Sequence, residues 1–248
     1  MKDEKNLCLN CGTELIGEFC HNCGQSAKVK RLSLNGAIRD FFSSSLAVEG
    51  PFFKTLRGLV INPGKLFREY IAGRRKTYYK PVAFFIMLTA IYIIVRSLIN
   101  YDSFGGNPPP TDVPENRKIF SDASFFMVRN INNILFFLVL SIGVIQKLFF
   151  RKEYRLIEYI SVGFYISGFY ILIGLLNAII STYIIHINPQ INLLILLILM
   201  IYSFYSLHRR KNLLSIIKYP LAAIFSLIFY VLMGYSFSLL IVFLKQSL

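Results

Sequence analysis

All four cysteines of the 248-residue chain fall within sixteen residues, as Cys8-Leu9-Asn10-Cys11-Gly12 and Cys20-His21-Asn22-Cys23-Gly24. Two C-x-x-C-G knuckles, with eight residues between Cys11 and Cys20, can bring four sulfurs to one point. In each, two thiolates project from a tight turn, and the following glycine lets the backbone fold back with φ > 0 so that amides aim at the sulfurs. Four thiolates suit tetrahedral Zn²⁺ at a Zn–S distance of about 2.3 Å. Such a site has no open coordination position, so the metal is expected to fold the segment and not to catalyse. The expectation is one structural Zn²⁺ on Cys8, Cys11, Cys20 and Cys23, with His21 a solvent-facing neighbour. Two disulfides would need an oxidising compartment. An iron–sulfur cluster or a redox dithiol fits two glycine-terminated knuckles less well.

The compartment is read from the elements around this motif. Hydrophobic residues make up 55% of the chain and charged ones only 16%, which favours a membrane over a soluble domain. Residues 1–6 are charged and no apolar core follows them, so no cleavable signal peptide is expected. From Pro81 onward, five apolar runs approach the roughly 20 residues needed to cross a hydrocarbon layer. They lie at 81–99, 131–150, 159–182, 191–207 and 219–244. Arg96, near the end of the first run, can snorkel to an interface.

Positive charge sorts these runs. Fourteen Lys and Arg precede Pro81, four stand around the second connector (Lys147, Arg151, Lys152, Arg155) and four around the fourth (Arg209, Arg210, Lys211, Lys218), giving 22 of the 27. The connector holding His186 has none, and the polar stretch 100–130, with Pro108-Pro109-Pro110, has four acids against three bases. The positive-inside rule then puts the N-terminus in the cytosol and the C-terminus outside, with five crossings. A cytosolic segment is reducing, which returns the cysteines to zinc. The fold expected is an all-α membrane bundle of about five spans over residues 81–248, preceded by a four-cysteine zinc ribbon (1–27) and amphipathic interfacial helices (28–80).

Residues 28–80 carry 12 bases and 3 acids. Leu34, Ala37, Ile38, Phe41, Phe42, Ser45 and Leu46 recur at helical spacing after Ser33, a good N-cap. Phe52, Phe53, Leu56, Leu59 and Val60 repeat the pattern after Pro51, with Lys54 and Arg57 opposite. A third helix is expected from Asn62-Pro63 to Gly73, burying Leu66, Phe67, Tyr70 and Ile71. The run Arg74-Arg75-Lys76-Thr77-Tyr78-Tyr79-Lys80 interleaves cations and aromatics, a composition that can stack on RNA bases. Because it abuts the first span, Arg74, Arg75, Lys76, Tyr78, Tyr79 and Lys80 are expected to be membrane-interface anchors, with anionic lipid as partner. Nucleic acid is disfavoured.

No catalytic motif stands out. The five runs contain no Asp or Glu, and their polar residues, among them Asn132, Asn133, Gln146 and Asn177, are ordinarily helix-packing groups. His186 and His208 have no carboxylate or cysteine nearby in sequence and read as surface histidines. The leading expectation is therefore a non-enzymatic membrane protein whose ribbon is an interaction, scaffold or regulatory platform for an unidentified protein partner. The alternative is a transporter or channel lined by the asparagines. A lipid-acting enzyme is the third and least supported class.

The cysteine knuckles, Phe19 and Gln25, followed by Pro63-Gly64, Glu69-Tyr70-Ile71, Gly73, Arg75 and Pro81, resemble the bacterial membrane proteins grouped as domain-of-unknown-function family 3667. The likeness spans about residues 8–81. It implies a bacterial inner-membrane protein with an N-terminal zinc ribbon and supplies no activity. Glu69, an acid among bases, is expected to pair with Lys65, Arg68 or Arg74.

Overall fold

The computed structural model describes residues 7–29, 32, 50–101, 114–130, 134–185, 190–209 and 212–246. Among them are eight helices: α1 (Gly50–Ile61), α2 (Pro63–Ile71), α3 (Pro81–Leu98), α4 (Glu115–Arg129), α5 (Leu135–Phe149), α6 (Leu156–Tyr183), α7 (Gln190–His208) and α8 (Leu213–Gln246). β pairing among the described residues is limited to two isolated bridges, Leu7 with Glu14 and Phe19 with Ser26. The helix expected from Ser33 to Leu46 lies outside the described residues, as do Asn132, Asn133, His186, Arg210 and Lys211.

Local chemistry sets the boundaries of the short helices. The Asn62 side chain accepts from the Lys65 amide at 3.0 Å and caps α2, and Pro63 fills the first helical position, where its missing N–H is not needed. Gly73, at φ +110°, ends the turn that follows α2. Pro81 opens α3 from an extended Lys80. The Glu158 carboxylate reaches back to the Arg155 amide at 2.7 Å and starts α6.

Four segments are long and apolar enough to cross a membrane: α3, α6, Ile191–His208 of α7 and Ile216–Lys245 of α8. Ile94, Ile198 and Leu232 on their outer faces are 58–59% exposed. Such faces mark the chain as a helical membrane protein. The second of the five expected runs gives a shorter helix, α5, with 15 residues. At 1.5 Å per residue that is roughly 22 Å, against a hydrocarbon layer of roughly 30 Å.

Helix α6 is the centre of the bundle, with α3 packed on one side and α5 on the other. A Cβ on Gly163 would lie 2.8 Å from the Val139 carbonyl oxygen, so this glycine sets how closely α5 and α6 approach. Helix α8 covers α5, and Ser141 Oγ donates to the Ser226 carbonyl at 2.5 Å across that contact. The stretch 100–130, read as a polar loop, contains α4. Ala123 and Met127 of α4 are buried, and the helix packs on α8 near Gly234 and Tyr235. Its many charges hide it from a hydropathy scan, and only the length of α8 supplies a surface for it.

Contacts place several segments at one end of the bundle. Helix α2 docks on the last turn of α7, and the turn between α5 and α6 reaches His208 at the end of α7. This end is the collar, and the cysteine segment sits on it.

Candidate functional site

The two knuckles adopt matching backbones. The Cys8 amide donates to Thr13 and the Gly12 amide to the Cys8 carbonyl; the Cys20 amide donates to Gln25 and the Gly24 amide to the Cys20 carbonyl, all at 2.8 Å. Gly12 and Gly24 take φ +76° and +68°, the left-handed turn that a side chain would strain. The outcome is convergence of four sulfurs, all within 4.8 Å of one another, with Cys8–Cys23 at 3.6 Å and Cys11–Cys20 at 3.5 Å. At these distances the sulfurs are unbonded, since disulfide sulfurs lie at about 2.05 Å. They approach the roughly 3.8 Å edge of a tetrahedron with Zn–S bonds near 2.3 Å. The donor set thus fits a closed tetrahedral metal site. Cys8 and Cys20 are buried, whereas Cys11 faces solvent beside Thr13, whose hydroxyl lies 3.2 Å from its sulfur.

Each knuckle also supplies a polar side chain to the turn between α2 and α3. Asn10, inside the first, accepts at Oδ1 from the Thr77 amide at 3.0 Å and the Thr77 hydroxyl at 2.8 Å. Gln25, just after the second, is buried and accepts at Oε1 from the amides of Arg75 (3.1 Å) and Lys76 (3.3 Å). Leu9 and Val29 close over Gly73, where a Cβ would lie 3.0 Å from Leu9 Cδ1. The cysteine segment is therefore seated on residues 73–77.

This docking changes the reading of the basic run. Tyr79 is 7% exposed and faces the core, not a headgroup layer. Its amide donates to Thr55 Oγ1 at 2.8 Å, its carbonyl accepts from Tyr165 Oη at 2.5 Å, and its ring packs edge-on to Phe52. Aromatic composition alone does not tell a buried tyrosine from an anchoring one. Arg74 and Tyr78 instead converge on Glu69, at 3.2 and 2.7 Å. Of the three bases weighed for Glu69, Arg74 is its partner. Burial, then the hydrogen bond to Glu69, raises the Tyr78 phenol well above its ordinary range.

Residues 49–93 match the family model described as Protein of unknown function (DUF3667). The DUF3667 segment covers α1, α2, the turn under the cysteine knuckles and most of α3, and it begins beyond the cysteines themselves. No curated protein and no solved structure matches the chain. Within the DUF3667 segment, the Pro63-Gly64 pair has a clear physical role. A Cβ on Gly64 would lie 1.9 Å from the Ser206 carbonyl oxygen, so only glycine lets α2 lie against the end of α7. The Gly64 amide donates to Ser206 Oγ at 3.0 Å, and Arg68 Nη1 donates to the carbonyls of Ser206 and Leu207 at 2.6 and 2.8 Å. Arg68 thus caps the C-terminal end of α7, where carbonyls lack helical partners.

One residue next to this contact was missed by sequence reading. The His208 side chain is fully enclosed, not on the surface as the lack of a carboxylate or cysteine nearby in sequence suggested. Its Nδ1 faces Glu153 Oε2 and its Nε2 lies 2.8 Å from Gln146 Oε1, while its ring stacks on Phe150 at 3.8 Å. Gln146, placed among span-packing groups, is a partner of this imidazole. Glu153 is 55 residues from His208, so no local spacing announces the pair. Asn177, considered as a pore-lining group, hydrogen-bonds Asn192 across α6 and α7.

Proposed function

We propose that this is a non-enzymatic membrane protein whose cysteine ribbon, folded by one structural Zn²⁺ on Cys8, Cys11, Cys20 and Cys23, forms a cytosolic interaction platform fastened to the first crossing. The observation that carries this reading is the docking of both knuckles on residues 73–77. The metal would do its work there by holding two turns rigid, so that Asn10 and Gln25 meet the collar together. Part of the surface of this segment is apolar and open. Ile16 is 88% and Phe19 65% exposed, on a segment whose Asn10 and Gln25 side chains face the turn. Two exposed apolar groups on so small a unit suit contact with a protein partner.

The chain crosses five times in this reading, with α5 as a short, buried second crossing, the N-terminus in the cytosol and the C-terminus outside. The collar end gathers the ribbon, the turn holding Lys147, Arg151, Lys152 and Arg155, and the end of α7 with Arg209. That end is the cytosolic one by the positive-inside rule. Helices α1 and α2 lie along the bilayer surface. Phe52, Thr55 and Leu59 of α1 face the protein, and Phe53 and Val60 are 60–63% exposed toward the lipid side. The charge asymmetry and the family likeness support a bacterial inner membrane as its location.

The tight contact of α5 and α6 at Gly163 and the pairing of Asn177 with Asn192 favour a platform over a transport path. The test is crosslinking from membranes of cells making the full chain or its Cys20→Ser, Cys23→Ser variant, followed by identification of captured proteins. Selective loss of a partner in the variant supports the platform; an unchanged set of partners overturns it.

A further inference from the structure

Of the cations expected to meet lipid, Arg74 pairs with Glu69. A different place on the collar has the chemistry of a lipid site. Between the α1–α2 junction and the last turn of α7 lies a cavity of about 490 Å³ lined by Ile61, Asn62, Tyr202, Tyr205, Ser206 and Arg209.

Its donors are in surplus. The Asn62 side-chain Oδ1 accepts twice, from the Lys65 amide and the Ser206 hydroxyl, which leaves its Nδ2 hydrogens without a partner among the described residues. The Tyr205 hydroxyl and the Arg209 guanidinium likewise make no hydrogen bond there. Arg209 stands close enough to Arg68 for the two to repel, and burial together with that repulsion lowers Arg68 from its ordinary value. Neither arginine forms an ion pair among the described residues, in contrast to Arg74 with Glu69. No carboxylate lines the cavity. Arg209, with a second cation nearby and no carboxylate in the cavity lining, favours an anion beside it.

The cavity is also amphipathic in a defined direction. From the cavity's own Tyr205 and Tyr202, Ile198, Leu194 and Ile191 continue at helical spacing along α7 away from the collar, and the five are 39–58% exposed. That stripe belongs to a segment long and apolar enough to cross a membrane, so it faces acyl chains. A soluble anion would use the donors and leave the stripe unused; a phospholipid matches both.

We infer that this cavity binds the headgroup of an anionic phospholipid from the collar-side leaflet, with its phosphodiester at Arg209, Tyr205 and Asn62 and an acyl chain along Ile198 and Leu194. The inference rests on the membrane reading of α7 and is independent of the ribbon's metal and partner.

Native mass spectrometry of the full-length protein, released from nanodiscs of phosphatidylcholine doped with phosphatidylglycerol, reads the site directly. Wild-type protein should retain phosphatidylglycerol roughly tenfold over phosphatidylcholine, and Arg209→Gln should remove that preference, as expected for loss of a charge-assisted contact. Tyr205→Phe, which keeps the ring and deletes one donor, should weaken retention roughly threefold, and it decides the matter if Arg209→Gln does not fold. Lys76→Gln, at the ribbon-docking turn, should leave retention unchanged. Millimolar inorganic phosphate should not displace the lipid. Equal retention of the two lipids by wild type, undiminished retention in both cavity variants, or displacement by inorganic phosphate would overturn the inference.

Discussion

The Asn10 side-chain oxygen accepts two hydrogen bonds from one residue, Thr77, at its amide (3.0 Å) and its hydroxyl (2.8 Å). Asn10 stands between two of the four cysteines, and Thr77 stands four residues before the first crossing helix. A change at the cysteine cluster can therefore reach the membrane helices through one side chain. Asn10→Ala should cost about 1–2 kcal/mol at this contact, from two hydrogen bonds lost and donors left without an acceptor. Amide exchange at residues 73–79 should rise while the metal content of the purified protein stays that of wild type.

Metal removal should have two separable effects. On the proposed zinc-bound reading, a segment of this size has too little apolar core to stay folded without an ion, so chelation should abolish amide protection over residues 8–24. Protection at 73–77 should fall next, because Asn10 and Gln25 leave with the ribbon, whereas α6 should keep its protection. Exchange mass spectrometry with and without chelator checks both. A purified protein with less than about half an equivalent of zinc would speak against the metal assignment.

Gly64 is where the collar meets α7. A methyl group there would overlap the Ser206 carbonyl, so Gly64→Ala should push α2 off the helix end and destabilise the protein by about 2–4 kcal/mol. Gly50, at the start of α1, has open space where a Cβ would stand. Gly50→Ala should accordingly change the thermal midpoint little, and the two variants measured side by side in detergent separate packing from a general effect of glycine loss.

His208 is enclosed between Glu153, Gln146 and the Phe150 ring, so its removal leaves a buried amide and a partly buried carboxylate without their partner. His208→Ala should cost about 3 kcal/mol. Glu153→Gln, at a position with 19% side-chain exposure, should cost less, since water screens part of the interaction and the amide can still accept a hydrogen bond. Thermal unfolding followed by tryptic susceptibility of the turn at 150–155 measures both.

The cysteine knuckles, the apolar runs and the boundaries of α2 were legible in the sequence because each depends on neighbours a few residues away. A C-x-x-C-G turn needs only its own backbone, a crossing helix only its own hydropathy, and Asn62-Pro63 caps a helix that begins at the next residue. Helix α4 was not legible, since its charges mask it until α8 offers a surface to pack on. The length of α5 was blurred because hydropathy extends past the point where helical geometry ends.

The contacts that give the molecule its character were decided by tertiary structure. Asn10 meets Thr77 across 67 residues, His208 meets Glu153 across 55, and Arg68 meets Ser206 across 138. Hydrogen bonds between single polar groups leave no periodic trace, so nothing in the chain's spacing foretells them. Sequence by itself determined that four sulfurs would gather and that apolar helices would enter a membrane. The fold alone decided that the sulfurs gather on the segment leading into the first of those helices, because only packing brings distant donors and acceptors within about 3 Å.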